Sequence, residues 1–311
     1  MDGYFLAYGE LGIHRIMLGD SRRTDAFADA IREVVKPGDV VADVGTGTGI
    51  LAMLAAQAGA KTVYAMDQAS IAETAAHVAK INGFEKAVQV FCGPAADLRM
   101  EQAPDLIISE WLGNFAFVEG MLDVVLSVRD RFLKPTGKML PSHVQVMLVP
   151  MDDPVLYFQE GPGFWRNPVH GLDFSLVEHI EMKQGRAHRT QIPPGALLSV
   201  PQPLVSLDLK TAKPNDPWQT GELSFIASRD GVLNGFAGWF VARLSPKVVL
   251  DTAPHLPGTH WQQTYFPFPP RLVKKGERIQ VSYQMDRDPC SQRRVELRLQ
   301  SAQTSQCYMI E

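Results

Sequence analysis

Two textures of hydrophobic patterning divide the chain near residue 140. In the first, short apolar runs, VVADV at 40–44, TVYAMD at 62–67, VQVFCG at 88–93 and DLIISE at 105–110, alternate with alanine-rich stretches, ILAMLAAQAGA at 50–60 and SIAETAAHVAKING at 70–83. Contiguous apolar runs predict strands buried on both faces, and the stretches between them predict helices ended by Gly59 and Gly83. Alternation of this kind predicts a parallel sheet wrapped by helices. Upstream, DAFADAIREVV at 25–35 predicts a further helix. From about Pro141 the runs VQVMLVP, LVSLDL, GELSFIAS, GWFVARL, QQTYF, RIQVSYQM and RRVELRLQ are separated by Pro and Gly turns. They predict an antiparallel barrel or sandwich. The segment at about 160–200, which contains GFWRNPVHGLDFSLVEHI, is too long and too apolar for a plain loop. It is expected to pack on the antiparallel domain or on a second subunit.

Composition widens this picture only a little. At 311 residues, 45% apolar and 21% charged, the chain can bury a sizeable core and is expected to form two domains. A net charge of −4 without a dense Lys/Arg run argues against nucleic acid as a ligand. Cys92, Cys290 and Cys307 fit neither a disulfide framework nor a zinc site, so no metal is expected and a reducing cytoplasm is implied. The N-terminal MDGYFLAYGE lacks a basic flank, and no run approaches the roughly 18 apolar residues of a membrane span. A soluble, cytoplasmic protein is the expectation.

Candidate chemistry begins in VVADVGTGTGI, where Gly45, Gly47 and Gly49 form GxGxG after a strand and before a helix. A dinucleotide fingerprint needs its third glycine at position 50, which is Ile50, so the spacing argues against NAD. The turn still lets backbone approach a ligand, and the helix start adds amide donors and a positive dipole end. Asp67 closes the second strand, where a carboxylate can accept both hydroxyls of a ribose. The fitting cofactor is S-adenosylmethionine, with S-adenosylhomocysteine as product.

A second site is marked by IISEWLGNFAFVEGML at 107–122, which sets Glu110 and Glu119 into one of the least polar parts of the chain. Two carboxylates near apolar surface lose hydration and repel, so they need protons or a shared cation. Three motifs suggest which cation. SEWLGNFAFVEGML resembles the double-glutamate loop of the protein arginine methyltransferases, GTHWQQTYF at 258–266 resembles their Thr-His-Trp loop, and GYFLAYGELGIHRIMLGDSRRT at 3–24 resembles their N-terminal cofactor lid. The likeness runs nearly end to end, and it implies a Rossmann-like α/β domain that binds S-adenosylmethionine, then a β-barrel. It divides the chain into a helical lid at 1–35, the cofactor domain at 36–140 and the barrel at 141–311, with a dimerisation arm at about 160–200. A homodimer follows from that arm.

The resemblance implies a role for each matching residue. Glu110 and Glu119 would hold an arginine side chain, and His260 would pair with Asp20, tying barrel to lid and helping to accept a proton. Arg23 would bind the cofactor carboxylate, with His14, Asp43, Gly45, Gly47, Gly49, Asp67 and Ala96 completing the cofactor site. Tyr4, Phe5, Tyr8 and Met17 match lid residues over the cofactor and the substrate side chain, while Trp111, Asn114, Trp261 and Arg15 would line the substrate slot. The chemistry supplies an independent reason for two carboxylates. Guanidinium stays protonated and its lone pairs are delocalised, so carboxylates on either side must draw charge toward the nitrogens they touch and leave the remaining one freer to attack.

Three departures from the family stand out. Asn114 replaces a usual Tyr, Ala96 stands where a carboxylate would receive the adenine amino group, and Arg15 with Ile16 replaces acidic residues that suit cationic peptides. They leave two settings open for the target arginine: within a protein, or as free L-arginine or a small arginine metabolite whose carboxylate Arg15 would attract. A catalytically silent binding partner is the alternative from another class, and two buried carboxylates count against it.

Overall fold

The computed structural model describes residues 11–185, 187–289, 291 and 293–311. Tyr4, Phe5, Tyr8 and Cys290 lie outside the described residues. Helix α1 (Leu11–Gly19) leads into α2 (Ser21–Val34), which starts ahead of the expected DAFADAIREVV stretch because Asp20 caps it, accepting from the Arg23 backbone N–H at 3.0 Å. Strand β1 (Val40–Val44), helix α3 (Ile50–Gln57), strand β2 (Thr62–Asp67), helix α4 (Ile71–Ile81), and strands β3 (Val88–Cys92) and β4 (Leu106–Ile108) follow where the patterning puts them. Helix α5 (Met121–Phe132) and strand β5 (Lys138–Leu140) complete this half. All five strands run parallel in the order β3-β2-β1-β4-β5. Every residue of β1 is buried, as expected for a central strand covered on both faces.

The second half consists of two antiparallel sheets. One holds β7 (His188–Thr190), β12 (Gln263–Val273), β10 (Gly231–Arg243), β6 (His143–Met151) and β8 (Gln202–Asp208) in that order, with β11 (Val249–Asp251) beside β10. The other runs β15 (Thr304–Ile310), β14 (Val295–Ser301), β13 (Arg278–Arg287) and β9 (Thr220–Ile226). Burial alternates along β13 and β14, so each turns one face inward. Two tyrosines cross between the sheets: Tyr283 donates to the Leu204 carbonyl and Tyr308 to that of Pro267, both at 2.6 Å. Strand β15 is the notable element that patterning misses, since TSQCYMI opens on polar residues and is recruited by its hairpin register with β14.

Between β6 and β7 runs a π-helical turn at Leu156–Glu160, a 3-10 turn at Pro162–Arg166 and helix α6 (Ser175–Gln184). Glu178, buried in this segment, accepts from Tyr157 at 2.8 Å and Arg166 at 2.7 Å, which fixes the two turns against the helix. Its outer side exposes Phe158, Phe164, Val169, Leu172, Leu176 and Ile180.

One hydrophobic core runs through both halves. The loop between β4 and α5 is its joint: the Phe115 ring packs edge-on against Phe266 of β12 at 5.2 Å and fits over Gly238 of β10, where a Cβ would lie 2.4 Å from it. Glu33 accepts from Ser245 at 2.5 Å, and Arg22 donates to the carbonyls of Pro257 and Asp251. These contacts hold α2 against the antiparallel half.

Candidate active site

The C-terminal ends of the parallel strands open on one cavity. After β1 the backbone at Gly45, Gly47 and Gly49 takes positive φ, which glycine adopts without steric cost. The amides of Gly45 and Thr46 both donate to the Met66 carbonyl at 2.9 Å, pinning the turn to β2. Asp67 finishes the job from its side chain, accepting from Gly47 N–H and Ala69 N–H at 2.9 Å each. A Cβ on Gly47 would stand 3.0 Å from the buried His14 ring, and one on Gly45 3.2 Å from Met121, so the cradle has no room for larger residues. Gly45 to Thr48, Asp67, Gln68, Gly93 and Ala95 line this cavity on one side, and His14, Met17 and Leu18 of α1 with Arg23 of α2 line it on the other.

A second cavity opens toward the antiparallel half, and four residues, Met17, Glu110, Trp111 and Glu119, line both. Glu110 follows β4 and is nearly buried. Its Oε2 accepts from Nε and Nη2 of Arg23 at 2.8 and 2.7 Å, and its Oε1 accepts from Leu112 N–H at 3.0 Å. Glu119 has φ of 93°, left-handed backbone that a non-glycine residue holds only under constraint, and its N–H donates to the Arg293 carbonyl at 3.1 Å. It lies ahead of the Gly120 cap of α5, outside the helix's first turn.

From the antiparallel half, His260 donates from its backbone N–H to Asp20 Oδ2 at 2.8 Å, with its Nδ1 also 2.8 Å from that oxygen. Burial pushes the Asp20 carboxyl up, but the His260 bonds and that from Arg23 N–H outweigh it and hold the group below the ordinary carboxylate range. Trp261 lies under the His260 ring at 4.1 Å and donates its indole N–H to the Leu112 carbonyl at 2.5 Å. His260, Trp261 and Asn114 line the second cavity.

Comparison with known proteins bears on what this arrangement is. The family model described as "Arginine methyltransferase oligomerization subdomain" matches residues 145–306, and that of "Ribosomal protein L11 methyltransferase" matches 19–140. The chain is 32% identical to a probable protein arginine N-methyltransferase 6 of Arabidopsis thaliana, over 99% of this chain and 80% of that one. It is 35% identical to protein arginine N-methyltransferase 1 of Saccharomyces cerevisiae, over 89% and 81%. The chain belongs to the protein arginine N-methyltransferase family. Its enzyme class is therefore S-adenosylmethionine-dependent arginine N-methyltransferase. Among solved structures it superposes on the Trypanosoma brucei PRMT1 enzyme-prozyme heterotetrameric complex with AdoHcy at a TM-score of 0.90 and 30% identity, covering 98% of this chain and all of that one. For Arabidopsis thaliana protein arginine methyltransferase 10, described in a uniquely open conformation, the TM-score is 0.88 at 29% identity over 99% and 100%.

Several residues of this methyltransferase sit elsewhere than the motifs suggest. Asp43 lies behind the cofactor cavity, fully buried, with Thr46 donating to it at 2.6 Å; loss of hydration pushes its carboxyl up to about 7, against the Thr46 bond and with help from the nearby Asp67 charge. Gly49 also lies off the cavity wall; its missing side chain lets the α3 start approach Ala75 of α4. Ala95 reaches the wall where Ala96 does not, because Ala96 turns away in a 3-10 turn and its carbonyl receives Arg131 at 3.2 Å. Arg15 is exposed and lines neither cavity. Conversely, Thr46, Gln68, Val118 and Met121 line the cavities beside residues that the motifs mark, within the glycine turn, after Asp67 and on either side of Glu119, while His188 and Arg189 line the second cavity without any signal in the chain.

The cradle fits S-adenosylmethionine. Its glycines admit a closely held ligand, Asp67 is locked in place with lone pairs to spare for two hydroxyls, and Arg23, its Nε and Nη2 held by Glu110, brings positive charge to the wall. Among the described residues no cluster of His, Cys, Asp and Glu could hold a metal ion, and no helix is long and apolar enough to cross a membrane.

Proposed function

We propose that this methyltransferase methylates a terminal guanidino nitrogen of arginine residues in polypeptides. The observation that carries the reading is that Glu110 and Glu119 both line the wall shared by the two cavities. A guanidinium entering from the second cavity meets both carboxylates at the border of the first. Glu110 is preset for this by Arg23 and Leu112, and Glu119 by a backbone conformation that the Arg293 carbonyl supports. When bound, S-adenosylmethionine supplies an electrophilic sulfonium methyl. The chain's own contribution is alignment and electrostatics: the two carboxylates hold the planar fork and localise charge on the nitrogens they touch. Asp20 orients His260 through Nδ1, leaving Nε2 to take the proton that the methylated nitrogen sheds.

Polypeptide arginine is favoured over free arginine for two reasons. The relatives are named protein arginine N-methyltransferases, and the residue expected to draw in an α-carboxylate, Arg15, lies off both cavities. A silent binding partner would have no use for two preset carboxylates. We further propose a homodimer through the apolar outer side of the 155–180 segment, within the stretch matched by the oligomerization subdomain. Cys92 and Cys307 are free and exposed, which suits a reducing compartment such as the cytoplasm. Mass spectrometry after incubation with S-adenosylmethionine and, separately, a glycine-arginine-rich peptide and free L-arginine tests the reading. Added methyl mass on the peptide is expected. Methylation of free arginine alone, or of neither, would refute it.

A further inference from the structure

The second cavity carries a cation for which methyl transfer has no use. Arg189 sits in the middle of β7, opposite Thr264 of β12, and lines the cavity together with His188, Ile13 and Met17. It is exposed, and no ion pair or hydrogen bond among the described residues engages its guanidinium. Of the other titratable groups on the wall, which also include Glu119 and His188, Glu110 pairs with Arg23, His260 with Asp20, and Glu311 with Arg294. A substrate arginine is itself a cation. An additional uncommitted cation on the wall works against every substrate that brings only positive charge, and favours one that brings an anion with it. The planar guanidinium fork is matched to a carboxylate, which it can hold by two parallel bonds.

Resting on the proposed methylation at this site, we propose that Arg189 is a specificity-determining residue that selects target arginines accompanied by a nearby carboxylate and disfavours those set among lysines and arginines. In a polypeptide that carboxylate belongs to a neighbouring aspartate or glutamate. In free arginine it would be the α-carboxylate, the same chemistry from another source. The charge that the sequence suggests at Arg15 is thus supplied from β7, in the antiparallel half.

The test uses peptides of equal length with one arginine flanked by aspartate, by glycine only or by lysine, together with free L-arginine. Steady-state methylation is followed with the wild type, Arg189→Glu and Arg189→Lys, at low and high salt. For the wild type the Michaelis constant should rise from aspartate to glycine to lysine, each step being roughly threefold to tenfold at low salt and shrinking as salt screens it. Arg189→Glu should invert the order, Arg189→Lys should keep it in weaker form, and kcat should change less than the Michaelis constant does, since Arg189 lines the second cavity and not the cofactor cavity. Equal Michaelis constants for all peptides in the wild type, with free arginine also unresponsive to Arg189→Glu, or a peptide order that survives Arg189→Glu, would overturn the assignment while leaving methyl transfer intact. A response confined to free arginine would support Arg189 as a carboxylate reader and assign the carboxylate to the amino acid itself. Absence of methylation on every substrate would overturn the assignment together with the reading on which it rests.

Discussion

The two halves of this molecule build their shares of the site in different ways. In the parallel half each contribution comes from the end of a strand or the turn just after it: Gly45 to Thr48 after β1, Asp67 and Gln68 at β2, Gly93 after β3 and Glu110 after β4. In the antiparallel half the strands mostly pack the interior, and the site receives His260 and Trp261 from the segment before β12 and Arg189 from the three-residue edge strand β7. The physical reason is direction. Parallel strands all point the same way, so their C-terminal ends converge and any polar residue there faces a common crevice. Antiparallel strands alternate in direction and no edge collects their ends. Site residues on that side depend on where irregular segments are held by packing, here by the Asp20–His260 bonds and the Trp261 bond to Leu112.

This contrast can be broken most forcefully at Glu119. Replacing it by glutamine removes one charge from the proposed guanidinium clamp on the wall that the two cavities share, and leaves Asp67 and the glycine turn of the cofactor cradle untouched. Turnover should fall by a factor on the order of 100 or more, with cofactor affinity by calorimetry unchanged; turnover within threefold of wild type would sink the clamp. Next comes Asp67→Ala, which deletes the carboxylate that pins Gly47 and Ala69. The expected loss is about 1.5–3 kcal/mol of cofactor binding, the scale of hydrogen bonds to a charged group, and an unaltered dissociation constant would place the cofactor elsewhere.

Asp43 sharpens the parallel side through pH. Its folded pKa of about 7 lies above the ordinary value of 3.8, so the folded state holds a proton that the unfolded state gives up earlier. The group's contribution to stability is fully present below the ordinary value, declines as pH rises through 7 and is flat beyond. Asp43→Asn removes that decline. The melting temperature of the variant relative to wild type should therefore climb between about pH 4 and 7, corresponding to at most about 4 kcal/mol; a difference independent of pH would show that the carboxyl is ionised in the fold. On the antiparallel side, Trp261→Phe deletes the indole bond to the Leu112 carbonyl. A loss of about 1 kcal/mol in denaturant unfolding is expected, with the cofactor dissociation constant unmoved. Weaker cofactor binding would mean that the halves are coupled more tightly than the cavities suggest. The smallest effect belongs to Arg15→Glu. Exposed and off both cavities, it should shift the Michaelis constant for any peptide by less than about twofold, and a larger shift would restore Arg15 to the substrate path.

How much was legible in the chain follows the same division. TVYAMD is strand β2 from its first residue to its last, and GTGTG, Asp67, Glu110 and Glu119 lie where a local pattern of strand, turn and helix puts them. Hydrophobic periodicity and glycine spacing are local properties, and the parallel architecture converts local position into a place in the crevice. The sequence was less informative where a residue's role depends on a neighbour far along the chain. Neither Arg15 nor Arg189 carries a local pattern that assigns it to a cavity, yet Arg189 borders one, through its register opposite Thr264, and Arg15 does not. Gly49 belongs to the glycine turn by spacing but serves the contact with Ala75, and Asp43 belongs to the same motif but is sealed behind it. By itself, then, the chain determined its parallel half and its family. Which charged groups share a wall, which are paired and which stand uncommitted were decided only by the fold, because electrostatic environment and burial are sums over contacts that sequence separation does not order.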